Sequence, residues 1–488
     1  MPDELFAVCT TQRVVFWIMT ITRRDVLAGI GAGLGAAALG CGDDHPSQPA
    51  DAHPGDASPD AAITACNATS THSAEELLAG IESIVVLCME NRSFDHYLGA
   101  LRLNGRTDID GLRGNESNPD PGGAIVPSYP QAKYAIPDLP HDWDSCHTQW
   151  NNGANSGFVI SHAGPDQVDA MGYYVKDQLA VTYALAEAGC VCNRWFSSVM
   201  GPTWPNRFHL HAARAYGEKG NNPVPGLTSI WDRCADKGIS NINYYSDVPW
   251  ALGAFNKTGG YALVDQFFTD AAAGTLPAFS LIDPQFFNSG ANDDHPDHDV
   301  QLGQAFINTV VAALGQSPQW NKLLFVLMYD EHGGFFDHVP PPQLAPGVEL
   351  EPGFDQLGFR IPAIVLGPTV RRGCAIDTQF EHVSVAATVT KRFGLVPLID
   401  RVTAANDLSA CIDPRLLDTP LPPPVLPKLV IPRGALEAVL AGPGRDTHRE
   451  LADALARRPS PLDLRAHGNA VTRRMLAIGE RLGAIQIV

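Results

Sequence analysis

The chain has 488 residues, 45% of them hydrophobic, with 53 acidic against 34 basic side chains and a formal net charge of −19. That length and apolar share suffice for a large buried core of one large or two ordinary domains. The acidic balance argues against nucleic acid as a partner and against nonspecific adsorption to anionic membrane, but a local pocket can still take a phosphate-bearing substrate.

Thr22-Arg23-Arg24-Asp25-Val26-Leu27 precedes an apolar, Gly/Ala-rich run from Ala28 to Gly40, which is the form of a twin-arginine export signal. The run is too short and too rich in glycine for a membrane span. It ends in Ala38-Leu39-Gly40-Cys41, similar to a lipoprotein cleavage site, although Ala38 replaces the usual larger aliphatic residue. Lipidation of Cys41 and ordinary signal-peptidase cleavage are the two alternatives. Val14-Val15-Phe16-Trp17-Ile18 is apolar where a short polar segment is expected, which points to Met19 as the true start, with a long leader as the alternative. Residues 1–41 are thus expected to direct the chain to the periplasm or cell surface, with a lipid anchor at Cys41 as its link to membrane. Residues 42–72, rich in Asp, Ala, Pro and Ser, read as a flexible tether, and His45 and His53 within it as solvated spacer residues. Eight cysteines follow Cys41, and an exported protein can pair some of them, although spacing alone assigns no pairs.

Ile84-Val85-Val86-Leu87-Cys88-Met89 reads as a buried strand, short and β-branched, and delivers Glu90 and Asn91 from its carboxyl end. Ligands bind at that end of α/β sheets. A carboxylate beside a carboxamide offers two hard oxygen donors for a divalent cation; alone, the pair reads equally as a solvated turn. Gly201-Pro202-Thr203-Trp204-Pro205-Asn206-Arg207 leads into a helical stretch over 208–216, with Pro205 suited to a first turn. Thr203 would then sit just before a helix N-terminus, where free N–H groups favour an anion and an activated hydroxyl can act as nucleophile. The plain alternative is an N-cap at Thr203 and a surface charge at Arg207. His209 and His211, within that helix, read as structural.

Ala278 to Ile282 and Ile361 to Leu366 are further strand candidates, and residues 301–315 carry apolar positions at helical spacing behind Asp299 as N-cap. Leu323 to Tyr329 repeats the first pattern, a strand ending in Asp330-Glu331-His332-Gly333-Gly334, with Asp337-His338 in the same loop. Two pairs of oxygen ligands, Glu90-Asn91 and Asp330-Glu331, about 240 residues apart, suggest one metal site assembled from distant parts of the chain. His332 is expected to orient the acidic pair, and His382, opening a helix from Val383 to Arg392, to face the site. Leu421-Pro422-Pro423-Pro424 is a stiff connector before two amphipathic helical stretches, about 434–457 and 465–484.

The segments E-N-R-S-F-D-H-Y (Glu90 to Tyr97), G-P-T-x-P-N-R (Gly201 to Arg207) and Y-D-E-H-G-G-F-x-D-H-V (Tyr329 to Val339) resemble the bacterial phosphoesterase family, which contains phospholipases C and an acid phosphatase branch within the alkaline-phosphatase-like superfamily. Asn292-Asp293-Asp294-His295-Pro296 with His298-Asp299, and Gly358 to Ala363 with Glu381 to Ser384, also match in family order. The resemblance spans about 81–395. It implies one divalent metal ion held by Glu90, Asn91, Asp330 and Glu331 and approached by Thr203. It makes Thr203 the nucleophile and places His295 at the phosphate, where it would protonate the leaving alkoxide. His141 matches a further catalytic histidine, with His147 as its rival. Asn206 and Arg207 match the nucleophile loop and, with His382, are candidates for phosphate binding.

The expected fold is α/β: a three-layer α/β/α sandwich with a mostly parallel central sheet, alkaline-phosphatase-like, over residues 73–400. A Pro-rich connector and a short helical C-terminal extension over 401–488 complete it. The expected function is metal-dependent hydrolysis of a phosphoric ester, of phospholipase C type on phospholipid or of acid phosphatase type on a small soluble ester. A catalytically inactive surface lipoprotein using this fold for binding is the alternative of another class. Residues 401–488 lack the length and strand pattern of the two β-rich C-terminal domains of the large phospholipases in this family, which favours a soluble substrate.

Overall fold

The computed structural model describes Cys66 and residues 70–488, apart from 163, 165, 256, 258–259, 350, 445–446 and 459–467. The signal, Met19, Cys41 and most of the tether therefore lie outside the described residues. An eight-stranded sheet organises the rest. Its strands are β1 (Ser83–Met89), β2 (Cys190–Trp195), β3 (Asn241–Tyr245), β4 (Tyr261–Leu263), β5 (Phe279–Asp283), β6 (Leu323–Tyr329), β7 (Ile364–Leu366) and β8 (Cys374–Phe380). Their spatial order is β8-β2-β7-β6-β1-β5-β3-β4. Every neighbouring pair is parallel except those made by β7, which runs antiparallel to both β6 and β2. β1 and β6 lie at the centre and are buried along their whole length, which explains their unbroken apolar runs.

The helices fall into two packing groups, as a sheet buried on both faces requires. α1 (Ala180–Ala188), α2 (Thr203–Ala212), α3 (Val264–Ala273), α4 (Val300–Gly315), α5 (Val383–Phe393) and α6 (Gly468–Leu482) are the principal ones. α4 packs against α1, α3 and α6, whereas α5 packs against α2. Asp299 caps α4 as expected, accepting the Gln301 N–H at 2.9 Å. Among the described residues no helix is long and apolar enough to cross a membrane.

The C-terminal residues join the same compact unit, 57–488. The single stretch expected over 434–457 is two helices, Arg433–Leu440 and Arg449–Ala456. Gly442-Pro443-Gly444 interrupts them: proline removes an N–H and clashes with the preceding turn, and the glycines favour non-helical backbone. Two short strands, Leu429–Ile431 and Ile485–Ile487, also pair there in parallel. Cys66 is bonded to Cys374 at the start of β8.

Candidate active site

Because β1, β2, β5, β6 and β8 run in one direction, their carboxyl ends share one edge of the sheet. Glu90 and Asn91 follow β1, Asp330 and Glu331 follow β6, and all four are buried. Asn91 is left-handed (φ 56), and its N–H donates to Asp330 Oδ1 at 2.9 Å. The turn after β6 folds tightly over it. Gly333 has φ 65, and a Cβ there would collide with the Asn91 carbonyl. The glycines of that loop thus serve a close approach of two backbones.

Thr203 is the first residue of α2, one position inside the helix rather than ahead of it. Its Oγ1 lies 3.5 Å from Glu90 Oε2 and 3.4 Å from Asn91 Oδ1. Asn206, on the same helix, holds the preceding loop. It accepts the Val199 N–H at 2.9 Å and donates to the carbonyls of Gly201 and Pro202 at 2.9 and 3.0 Å. Its amide is therefore spent on shaping the Thr203 loop rather than on a ligand.

Arg207 is fully buried and faces three carboxylates, Glu90, Asp283 (3.5 Å) and Asp330 (3.4 Å). Its guanidinium neutralises the acids beneath the site and is not turned to the pocket as a phosphate clamp. Burial pushes the Glu90 carboxyl up; it also disfavours the Asp330 charge, but Arg207 holds that carboxyl below its ordinary range. His382 likewise serves from behind. Burial lowers it to about 4, and its Nε2–H donates to the Asp330 carbonyl at 2.5 Å.

His141 comes to the site and His147 does not. His141 Nε2 is 3.3 Å from Asn91 Nδ2 and 3.7 Å from Glu331 Oε1, whereas His147 Nδ1 bonds the Trp143 carbonyl of its own helix at 2.7 Å. Burial disfavours a charged His141, but Glu331 and Asp138 outweigh it and lift the ring to about 9. His332 braces Glu331 at 3.1 Å and is itself held by Gln149 at 2.7 Å. His209 and His211 are structural, as expected: Arg401 and Trp231 respectively donate to their rings.

A cavity of about 110 Å³ opens over Thr203, lined also by Asp138, His141 and His295 and, from the C-terminal segment, by Thr447 and His448. His295 donates Nδ1–H to the Pro296 carbonyl at 2.7 Å, and burial pushes its ring down to about 4. It is therefore neutral near pH 7, with its proton on the nitrogen that faces away from chemistry. With Nδ1 taken by Pro296, Nε2 is the ring nitrogen of His295 that makes no hydrogen bond among the described residues.

The donors around Thr203 suit a hard divalent cation. Glu90, Asn91, Thr203, Asp330 and Glu331 offer only oxygens, and Glu331 Oε1 is buried without a hydrogen-bond partner. Glu90, Asp330 and Glu331 are not drawn into one tight trio, since Arg207 stands against two of them. The tight His/carboxylate groups among the described residues are Asp138–His141–His295, Asp293–His298–His448 and Asp95–Asp337–His338. Sequence reasoning missed Asp138, Asp283 and His448. The first two are ordinary acids in sequence, and His448 lies beyond every recognised motif.

A buried hydroxyl at a helix N-terminus, flanked by acidic oxygens and histidines at the carboxyl edge of a parallel sheet, is an arrangement suited to a hydrolase of phosphoric esters. Residues 81–396 match the model of the Phosphoesterase family, and the chain belongs to that family. Non-specific phospholipase C1 of Arabidopsis thaliana is 36% identical over 361 residues, covering 64% of this chain and 67% of its own length. Phospholipase C A of Mycobacterium tuberculosis is 29% identical, over 68% of this chain and 76% of its own. Among solved structures, a Vibrio parahaemolyticus protein in the alkaline phosphatase superfamily aligns with 72% of this chain and 77% of its own at 13% identity and a TM-score of 0.34.

Proposed function

We propose that this protein is a phospholipase C-type phosphoesterase in which Thr203 attacks phosphorus to give a phospho-threonine that water then hydrolyses. The observation that carries the reading is the position of Thr203 Oγ1, within 3.5 Å of Glu90 and 3.4 Å of Asn91 beneath the pocket. Glu90, Asn91, Thr203, Asp330 and Glu331 would hold one divalent cation, which would favour the threonine alkoxide and offset charge on the phosphoryl oxygens. At the start of α2 the Trp204 N–H already donates to Asn221 Oδ1 at 3.0 Å and Pro205 has none, so the helix end would contribute its dipole rather than a cradle of free donors. His141, whose Nε2 lies 3.7 Å from Glu331 Oε1, would bring its ring beside the phosphoryl oxygens. Asn206 keeps the Thr203 loop shaped for in-line attack, and Arg207 and His382 keep the acidic floor in place. The named phospholipases C among the relatives support a phosphodiester substrate. The cavity of about 110 Å³ over Thr203 supports acid phosphatase action on a small monoester as the second reading. Export by the twin-arginine route and a lipid anchor at Cys41, ahead of a catalytic domain over 73–400 and an extension over 401–488, are part of the same proposal and rest on the leader sequence.

Side-by-side hydrolysis of p-nitrophenyl phosphate and p-nitrophenyl phosphorylcholine tests it. Faster release from the choline ester supports the phospholipase reading, and faster release from the monoester the phosphatase. Thr203→Ala is expected to lose roughly three orders of magnitude or more on either, and a chelator to abolish turnover until metal is restored. Full activity of Thr203→Ala would remove the nucleophile assignment. Bound metal with neither ester cleaved would favour a binding protein.

A further inference from the structure

Beyond the break at Gly442-Pro443-Gly444, Thr447 and His448 of the C-terminal segment line the pocket. There Asp293 grips two imidazoles: Oδ1 lies 2.6 Å from His298 Nδ1, and Oδ2 lies 2.7 Å from His448 Nε2. Asp293 is buried, and each of its two oxygens meets one ring nitrogen. An ionised carboxylate only accepts, so His448 Nε2 carries a proton and the exchangeable position of that ring is Nδ1. Nδ1 makes no hydrogen bond among the described residues, and the ring lines the cavity with Thr203, 4.9 Å from the His295 ring. His298, the other imidazole, instead meets the Thr447 hydroxyl at 3.2 Å. His295 has its proton turned inward to Pro296. A carboxylate that fixes one nitrogen of a histidine, leaving the other nitrogen unpaired in the nucleophile's own pocket, suits acid–base catalysis in hydrolases.

We propose that His448, supplied by the C-terminal segment and oriented by Asp293, is the catalytic proton carrier of the reaction. The proposal rests on Thr203 as nucleophile. Thr203 attacks as its alkoxide; as its oxygen–phosphorus bond forms and the ester bond breaks, His448 Nδ1–H gives its proton to the departing alkoxide. Water then attacks the phospho-threonine and yields a proton to Nδ1. The bond to Thr203 breaks, and the alkoxide is regenerated. The sum is ester plus water to alcohol plus phosphate, with His448 and Thr203 returned to their starting forms.

The test uses the full chain with two esters of one head group, dihexanoyl phosphatidylcholine and p-nitrophenyl phosphorylcholine. The first must expel an aliphatic alkoxide, which needs a proton; the second expels p-nitrophenolate, which does not. His448→Gln keeps a donor for Asp293 but carries no transferable proton. It is expected to slow the lipid by about 10²–10⁴-fold while the first-turnover burst of p-nitrophenolate keeps its rate to within about tenfold. Asp293→Asn is expected to show the same contrast, and thermal melts of both variants report folding independently. Equal loss on the two esters, or no loss on either, overturns the proposal. Activity of Thr203→Ala would overturn the nucleophile alone, since the leaving-group contrast at position 448 remains readable. Wild-type protein inert to both esters would overturn the phosphoryl-transfer reading and this proposal with it.

Discussion

Arg207 holds together three acids that would otherwise repel one another in a dry interior. Glu90, Asp283 and Asp330 all meet its guanidinium, and none of the four is exposed. Removing one partner of a buried ion pair leaves charge uncompensated, so Arg207→Met is expected to cost roughly 3–5 kcal/mol in a urea melt. A surface role, the plain reading of this arginine in the sequence, would cost almost nothing. A second buried knot ties the first motif to the loop after β6. His338 contacts Asp95 at 2.6 Å and Asp110 at 3.3 Å, and Arg360 joins Asp95 and Asp337. Burial disfavours a charged His338, but Asp95 and Asp110 raise it to about 10. A raised histidine stabilises the fold fully below its unfolded value of about 6.5, and that contribution is lost as pH rises through about 10. The melting-temperature gap between wild type and His338→Gln is therefore expected to be widest near pH 6 and to close towards pH 10. A gap that stays constant over that range would dismiss the ionic account.

At the level of elements, the break between the helices Arg433–Leu440 and Arg449–Ala456 is what places His448. Replacing Gly442-Pro443-Gly444 by three alanines is expected to extend the first helix and withdraw His448 from the pocket. Activity should fall while the far-ultraviolet helix signal rises. Local patterns made much of the frame legible from sequence. β1 and β6 announce themselves as apolar runs ending in acids, and α4 as a helical period behind Asp299. What local pattern cannot express is partnership at long range. The antiparallel pairing of β7 with β2, the left-handed Asn91 beneath Gly333, and the inward aim of Arg207 each depend on chain more than a hundred residues away in sequence. The same applies to His448, whose partner Asp293 is 155 residues distant. The motifs named the chemistry at Thr203, Glu90 and Asp330, but not which side chains face the ligand and which brace the ones that do.

For the whole molecule, the Cys66–Cys374 bond closes a loop across 308 residues, nearly the entire catalytic fold. Opening it should lower stability by about 2–5 kcal/mol through the freedom returned to the unfolded chain, which a melt with and without reductant would measure. Cys88, Cys146, Cys190, Cys192, Cys234 and Cys411 are free and buried, so the reductant has no other bridge to open among the described residues. The position of the bridge has a further result. Cys374 begins β8, at the amino edge of the parallel sheet, whereas Thr203 and its neighbours gather at the carboxyl edge. Cys66 is therefore fastened to the edge of the sheet opposite the active site. Bridge and active site therefore sit on opposite margins of one sheet, so a reductant can open the first without entering the second.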